Sequence, residues 1–176
     1  MHYQGSLDGL CGIYATINAI SLMTELDAVA LFAHLIKDLQ DHLSEIIVRG
    51  LFTHEMRRLL NSCRRFCLAQ RVSLAYLTCN TSSLDEYWQG LQNHIAVHGA
   101  GSVILGVDEH WTCIRRITPK TIMLADSNQW YRLYRRYVST GTDAQHQVFP
   151  KATFLLNAKD IDYERKEKAD KEAQFR

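Results

Sequence analysis

Residues 4–20 read QGSLDGLCGIYATINAI, and the rest of the chain is best understood from this run. Cys11 is preceded by Asp8, Gly9 and Leu10 and followed by Gly12. Leu10, Ile13, Tyr14, Ile17 and Ile20 then recur at helical spacing. The pattern predicts a tight turn that opens a buried helix, with Cys11 in its first turn. Free N–H groups and the helix macrodipole favour negative charge there, and helix N-termini are among the settings that activate a thiol. The same position suits a plain core residue, because free cysteine is among the most buried residue types.

The 176 residues suffice for one domain, and 47% hydrophobic with 22% charged residues is ordinary for a globular chain. A net charge of +1 creates no global field toward nucleic acid or membrane. No stretch approaches the roughly 18 apolar residues of a membrane span. The opening MHYQGSLDG has neither the charged nor the apolar region of a secretory signal. A cytoplasmic location is therefore expected, with delivery as an effector left open. The five cysteines, Cys11, Cys63, Cys67, Cys79 and Cys113, are odd in number and form no CxxC pair. This argues against a disulfide framework and a zinc site, and no cofactor is expected. A cysteine that matters in a reducing compartment should then matter as a nucleophile.

Downstream, 27–40 reads as an amphipathic helix with Asp27 as N-cap, and 46–52 as a turn around Gly50. Residues 53–71 read as a third helix, with Thr53 as N-cap and Arg57, Arg58, Arg64 and Arg65 facing outward. Those arginines could meet an acidic partner or be a solvated face. Nucleic acid is disfavoured there because no aromatic residues interleave with them. A short strand at 72–77 precedes a helix at 83–98, whose Ser83 and Glu86 make a capping box. His94 and His98 within it have metal-ligand spacing but no fitting third ligand. Period-two patterning then predicts antiparallel strands at 102–107, 110–117, 121–126, 130–138 and 153–157. Helices first and strands second suggest an α+β domain over 1–157, with helices packed on one side of a sheet. Residues 158–176 read as a charged tail, helical or disordered.

A nucleophilic thiol needs a base, and the base needs an orienting group. Of the eight histidines, His110 opens a strand, after the turn Val107-Asp108-Glu109. A hairpin turn centred on Thr118 would place Ile114 opposite Ile122, Thr112 opposite Leu124 and His110 opposite Asp126, within side-chain reach. An ordinary cross-strand polar pair is the alternative reading. The roles fit one mechanism: Cys11 as nucleophile, His110 as base and acid, and Asp126 as the group that orients the imidazole. An oxyanion would be held by the Cys11 backbone N–H and the Gln4 side-chain amide.

The order Gln4, Cys11 opening a helix, His110 on a strand and Asp126 on the next, carried by QGSLDGLCGIYATINA, HWTCI and LADS, resembles the papain-like cysteine peptidases. In size and in its third residue it is most similar to the compact bacterial leader peptidases that cut after double glycines. DGLC is similar to the corresponding motif of ovarian-tumour deubiquitinases, and HW to Josephin and SUMO-protease sites. The resemblance implies a papain-like fold, with the nucleophile at the start of the first helix. It also implies hydrolysis of a peptide or isopeptide bond in a protein or peptide substrate. Deamidation or transglutaminase-type acyl transfer at glutamine would use the same thiol. A non-catalytic binding module on the same fold, using the third helix, is the reading from outside enzymology. A substrate groove is expected between the first helix and the sheet, lined by Trp111, Trp130 and the segment around Tyr87 and Trp88.

Overall fold

The computed structural model describes residues 9–81 and 83–161. The chain is an α+β domain. Among the described residues, five α-helices, α1 (Cys11–Met23), α2 (Ala28–Asp38), α3 (Leu43–Arg49), α4 (Thr53–Ala69) and α5 (Leu84–His98), accompany a sheet of seven strands. The strands are β1 (Val72–Thr78), β2 (Val103–Val107), β3 (His110–Ile117), β4 (Thr121–Ala125), β5 (Arg132–Tyr134), β6 (Val138–Ser139) and β7 (His146–Asp160). Their order is β1-β7-β2-β3-β4-β5, with β6 pairing parallel to the start of β7. No described helix is long and apolar enough to cross a membrane.

Helix α1 is buried nearly all round, from Cys11 through Ile20 apart from Tyr14, as expected for a helix apolar on every side. It lies in a core with α2, α4 and the Ile104, Trp111, Cys113 and Phe154 face of the sheet. The opposite face carries a second core, in which Tyr87, Trp88 and Leu91 of α5 pack on Val103, Leu105, Ile114 and Leu124. Helices therefore cover both faces, which corrects the expected one-sided packing. All five residues of β2 are buried, the signature of a strand enclosed on two sides.

Other boundaries also differ from expectation. The segment expected to turn at 46–52 is mostly α3, ended by Gly50 at φ 79°. Helix α4 is capped at Phe52, whose N–H donates to Glu55 Oε2 at 2.8 Å, so Thr53 is already helical. The strand expected at 130–138 is broken into β5, a 3₁₀ turn (Arg135–Tyr137) and β6. Strand β7 starts seven residues earlier than the expected 153 and runs through Ala158–Asp160 against Val72–Leu74, into the stretch assigned to the tail. Pro150 lies in β7 at the irregularity between the pairs Leu105↔Thr153 and Val107↔Val148, where the ladder needs no N–H from it.

The β3–β4 hairpin sets the register of the site. Its turn centres on Pro119-Lys120, with Ile117 opposite Ile122, rather than on Thr118. That is an odd displacement from the expected pairing, and alone it would set Asp126 opposite Cys113, on the other face of the hairpin from His110. A bulge at Arg115 removes one position, so Ile114 faces Leu124 instead of Ile122. The net slip of two preserves the face. The expected His110–Asp126 pair is thereby corrected from directly opposed to diagonal, a separation that long side chains still span.

Candidate active site

The turn before Cys11 is held against the end of α3. Gly9 N–H donates to the Ile47 carbonyl at 2.6 Å. A Cβ on Gly9 would stand 2.6 Å from both Gly50 N and the Ile46 oxygen. Gly12, on the other side of the cysteine, faces α4, where a Cβ would meet Met56 Sδ at 2.6 Å and Leu51 Cδ1 at 2.8 Å. The two glycines flanking Leu10-Cys11 thus let the start of α1 sit tightly against α3 and α4. Cys11 is the first residue of α1 and is 6% exposed. The first helical hydrogen bond runs from Tyr14 N–H to the Leu10 carbonyl at 3.0 Å, leaving the Cys11 N–H outside the ladder.

His110 begins β3, and its Nε2 is hydrogen-bonded to Asp126 Oδ2 at 2.8 Å. Asp126 is fully buried just beyond β4. Its Oδ1 accepts the N–H groups of Asn128 at 2.7 Å and Trp130 at 3.3 Å. The loop after β4 therefore holds one carboxylate oxygen while the other meets the imidazole. Burial opposes ionisation of Asp126, but the His110 hydrogen bond, Thr112, the imidazole charge and the Asn128 N–H together hold its pKa below the usual value. The Thr112 hydroxyl is buried without hydrogen-bond geometry to a described partner, so its effect on the carboxylate is best taken as local polarity.

Because Asp126 occupies Nε2, Nδ1 is the ring nitrogen left for Cys11. The Cys11 Sγ lies 4.0 Å from the Gly9 carbonyl, and its thiol is among the groups that act electrostatically on the His110 ring. Burial favours the neutral ring, but Asp126 and Cys11 outweigh it through hydrogen bonding and charge, raising His110 to about 9. Asn18 of α1 donates to the Ala125 carbonyl at 3.5 Å, tying the cysteine's helix to the strand end that presents Asp126.

Further groups surround His110: Trp130, which the sequence singled out only for a groove, and His146 and Asp108, which it did not assign to the site. Trp130 lies against its ring at 5.4 Å between centroids and against His146 at 5.8 Å. His146 Nδ1 donates to Asp108 Oδ2 at 2.6 Å, and Gln147 N–H donates to Asp108 Oδ1 at 2.6 Å. Asp108 and Glu109 both have positive φ, 48° and 61°, as a two-residue type I′ hairpin turn requires. Asn-Gly or Asp-Gly usually marks such a turn; here the charged pair Asp108-Glu109 forms it, at the position where the sequence predicts a turn.

A cleft of about 550 Å³ opens beside His110, walled by Leu51, Phe52, Trp111 and Phe149 and rimmed by Arg49, Glu109 and Lys151. It lies between the α3–α4 turn, the β2–β3 hairpin and the irregular part of β7, which corrects the expected groove between α1 and the sheet. Of the expected lining residues, Trp111 contributes and is anchored by its Nε1 donating to the Leu51 carbonyl at 2.7 Å. Trp130 covers His110 instead, and Tyr87 and Trp88 are buried under the other face. Gln4 lies outside the described residues, as does the tail beyond 161.

Several other chemistry-bearing residues are engaged elsewhere. His94 Nε2 donates to the Leu156 carbonyl at 2.8 Å. Arg65 pairs with Asp38 at 2.5 Å and Arg64 donates to the Leu74 carbonyl at 3.1 Å. Ser62, His34 and Asp38 also cluster between α2 and α4. The Asp38 carboxylate and Ser62 hydroxyl both approach Nε2 of His34, whereas a base relay needs them on opposite ring nitrogens. This cluster ties two helices together. Comparison with known protein families, curated proteins and solved structures found no match to the chain.

Proposed function

We propose that the protein is a papain-like thiol hydrolase that cleaves a peptide or isopeptide bond. The observation that carries the reading is the convergence of three elements on one imidazole. The Cys11 thiol at the start of α1 acts on the His110 ring, and the loop after β4 brings Asp126 to its Nε2 at 2.8 Å. In this mechanism the thiol proton passes to His110, and the sulfur attacks the substrate carbonyl carbon. The C–N bond breaks as His110 returns the proton to the leaving amine, giving a thioester on Cys11. Water, deprotonated by His110, then releases the carboxylic acid product and restores the thiol. Asp126 keeps the ring oriented and stabilises its charged form. The developing oxyanion would meet the Cys11 N–H and the Gln4 amide. The apolar cleft beside His110 would hold substrate side chains.

The test is proteolysis of a complex peptide mixture with the products sequenced by mass spectrometry. The wild-type protein should generate new termini that Cys11→Ala does not. Identical peptide sets from the two proteins would overturn hydrolysis. Conversion of glutamine to glutamate without chain cleavage would move the reaction to deamidation.

A further inference from the structure

We propose that the β5 edge of the sheet, with the 3₁₀ turn that follows it, binds single-stranded nucleic acid through its phosphates. This goes beyond the thiol chemistry and does not depend on it. Over residues 115–142 the chain carries Arg115, Arg116, Lys120, Arg132, Arg135 and Arg136 against a single acid, Asp126, and that acid is buried on His110. The topology gathers these cations. Arg116 pairs with Met123, and Met123 with Arg132, so both arginines share a face two strand spacings apart, about 10 Å. Lys120, Arg135 and Arg136 line a cavity of about 440 Å³ with Pro119, Thr121 and Tyr134 at the same edge.

Aromatic rings hold the guanidinium groups in place. Arg132 lies 5.2 Å over Tyr134, and Arg136 lies 5.9 Å over Tyr134 and 4.5 Å over Tyr137. The two tyrosine rings meet edge to face at 6.2 Å. Tyr131, Tyr134 and Tyr137 are 61%, 42% and 39% exposed. A guanidinium stacked on a ring keeps its N–H edge free for a bidentate phosphate contact. Among the described residues no carboxylate forms an ion pair with Arg116, Lys120, Arg132 or Arg136. The arginines of α4 differ, since Arg64 and Arg65 have partners within the fold and lack interleaved aromatics. Exposed rings beside a cationic track are the features that bind single strands, in which bases are free to stack. They favour that ligand over an acidic protein, which would need the charge alone.

Fluorescence anisotropy on the full chain tests this with labelled oligo(dT) and oligo(U) of about 20 nucleotides, a duplex of equal length, and polyglutamate. Four phosphate contacts predict an affinity loss of about 50-fold for single strands between roughly 50 and 200 mM salt. R132E/R136E should weaken binding at least about tenfold at low salt and flatten that dependence to about sevenfold. R132Q/R136Q reads the same contacts if the reversed pair folds poorly. Tyr134→Ala should weaken binding, and Cys11→Ser should leave it unchanged. Absence of oligonucleotide binding, or binding unchanged in both arginine pairs, would overturn the proposal. Equal affinity for the duplex would overturn single-strand preference, and equal affinity for polyglutamate would reassign the surface to an acidic protein.

Discussion

Asp126 has its two carboxylate oxygens assigned to different tasks. Oδ1 is held by backbone N–H groups and Oδ2 by His110. Asp126→Asn should keep the fold while lowering hydrolysis on the order of 10³-fold, because an amide can hold the ring without stabilising its charge. The pair also predicts a pH dependence of stability. His110 has a folded pKa of about 9, above its ordinary 6.5. Its contribution is thus fully present below about pH 6.5 and lost as pH rises through about 9, on the order of 3 kcal/mol in all. Asp126 has a lowered folded pKa, so its contribution is present above the ordinary carboxylate value and lost as pH falls through the folded one. Urea unfolding of wild type and Asp126→Asn from about pH 6 to pH 9.5 checks the first window. The variant should lose most of the wild-type slope. At this scale the sequence was informative: Cys11, His110 and Asp126 were each legible from position in an element. The supporting contacts of Asp108, His146 and Asn128 were not, because they join residues far apart in the chain or use backbone groups.

Among the elements, the β2–β3 hairpin has the clearest conflict between local preference and tertiary demand. Asp108 adopts a conformation unfavourable to most side chains, and its carboxylate is retained by two hydrogen bonds to the start of β7. Asp108→Ala should cost about 2–3 kcal/mol by losing these bonds while keeping the strain. Asp108→Gly should recover about 1 kcal/mol of that loss by relieving the backbone. Denaturant unfolding of both variants separates the two contributions. Helix α1 makes a different demand. Gly12→Ala places a methyl group 2.6 Å from Met56 Sδ and 2.8 Å from Leu51. It should destabilise the protein by about 1–3 kcal/mol and displace Cys11, lowering activity beyond any loss of folded protein in a melt-corrected assay. The extents of α2 and α5 followed from apolar period and capping residues, and the start of α1 from its apolar period alone. The β3–β4 register did not, because the bulge at Arg115 carries no glycine to announce it. The pair survived only because the turn displacement and the bulge together made an even slip.

Across the whole molecule, two cores share one sheet. The first brings Cys11 over the strands, and the second supports those strands from behind through α5. The run SVILGV already contained the reason, since a strand apolar at every position must be covered on both faces. Helix order alone had suggested one covered face. Tyr87 links the second core to β7, its hydroxyl 2.9 Å from Thr153 Oγ1, and the ring is fully buried. Tyr87→Phe should cost about 1–2 kcal/mol, read as a lowered denaturation midpoint, because it leaves a buried hydroxyl with one partner fewer. Of the cleft walls, sequence reasoning reached only Trp111. They come from the α3–α4 turn, β3 and the irregular stretch of β7, segments with no shared pattern along the chain.

The most direct test of the thiol–imidazole account is the alkylation rate of Cys11 across pH, read by peptide mass mapping. Cys63, Cys67 and Cys113 are fully buried, and mapping separates Cys79. With His110 carrying the proton, Cys11 should react with iodoacetamide at about pH 6 at a rate within a few-fold of that at pH 8.5, where an ordinary thiol has already lost most of its reactivity on descending to pH 6. His110→Ala should abolish that low-pH reactivity. A rate that falls with pH as a free thiol's does, and that His110→Ala leaves unchanged, would contradict the account.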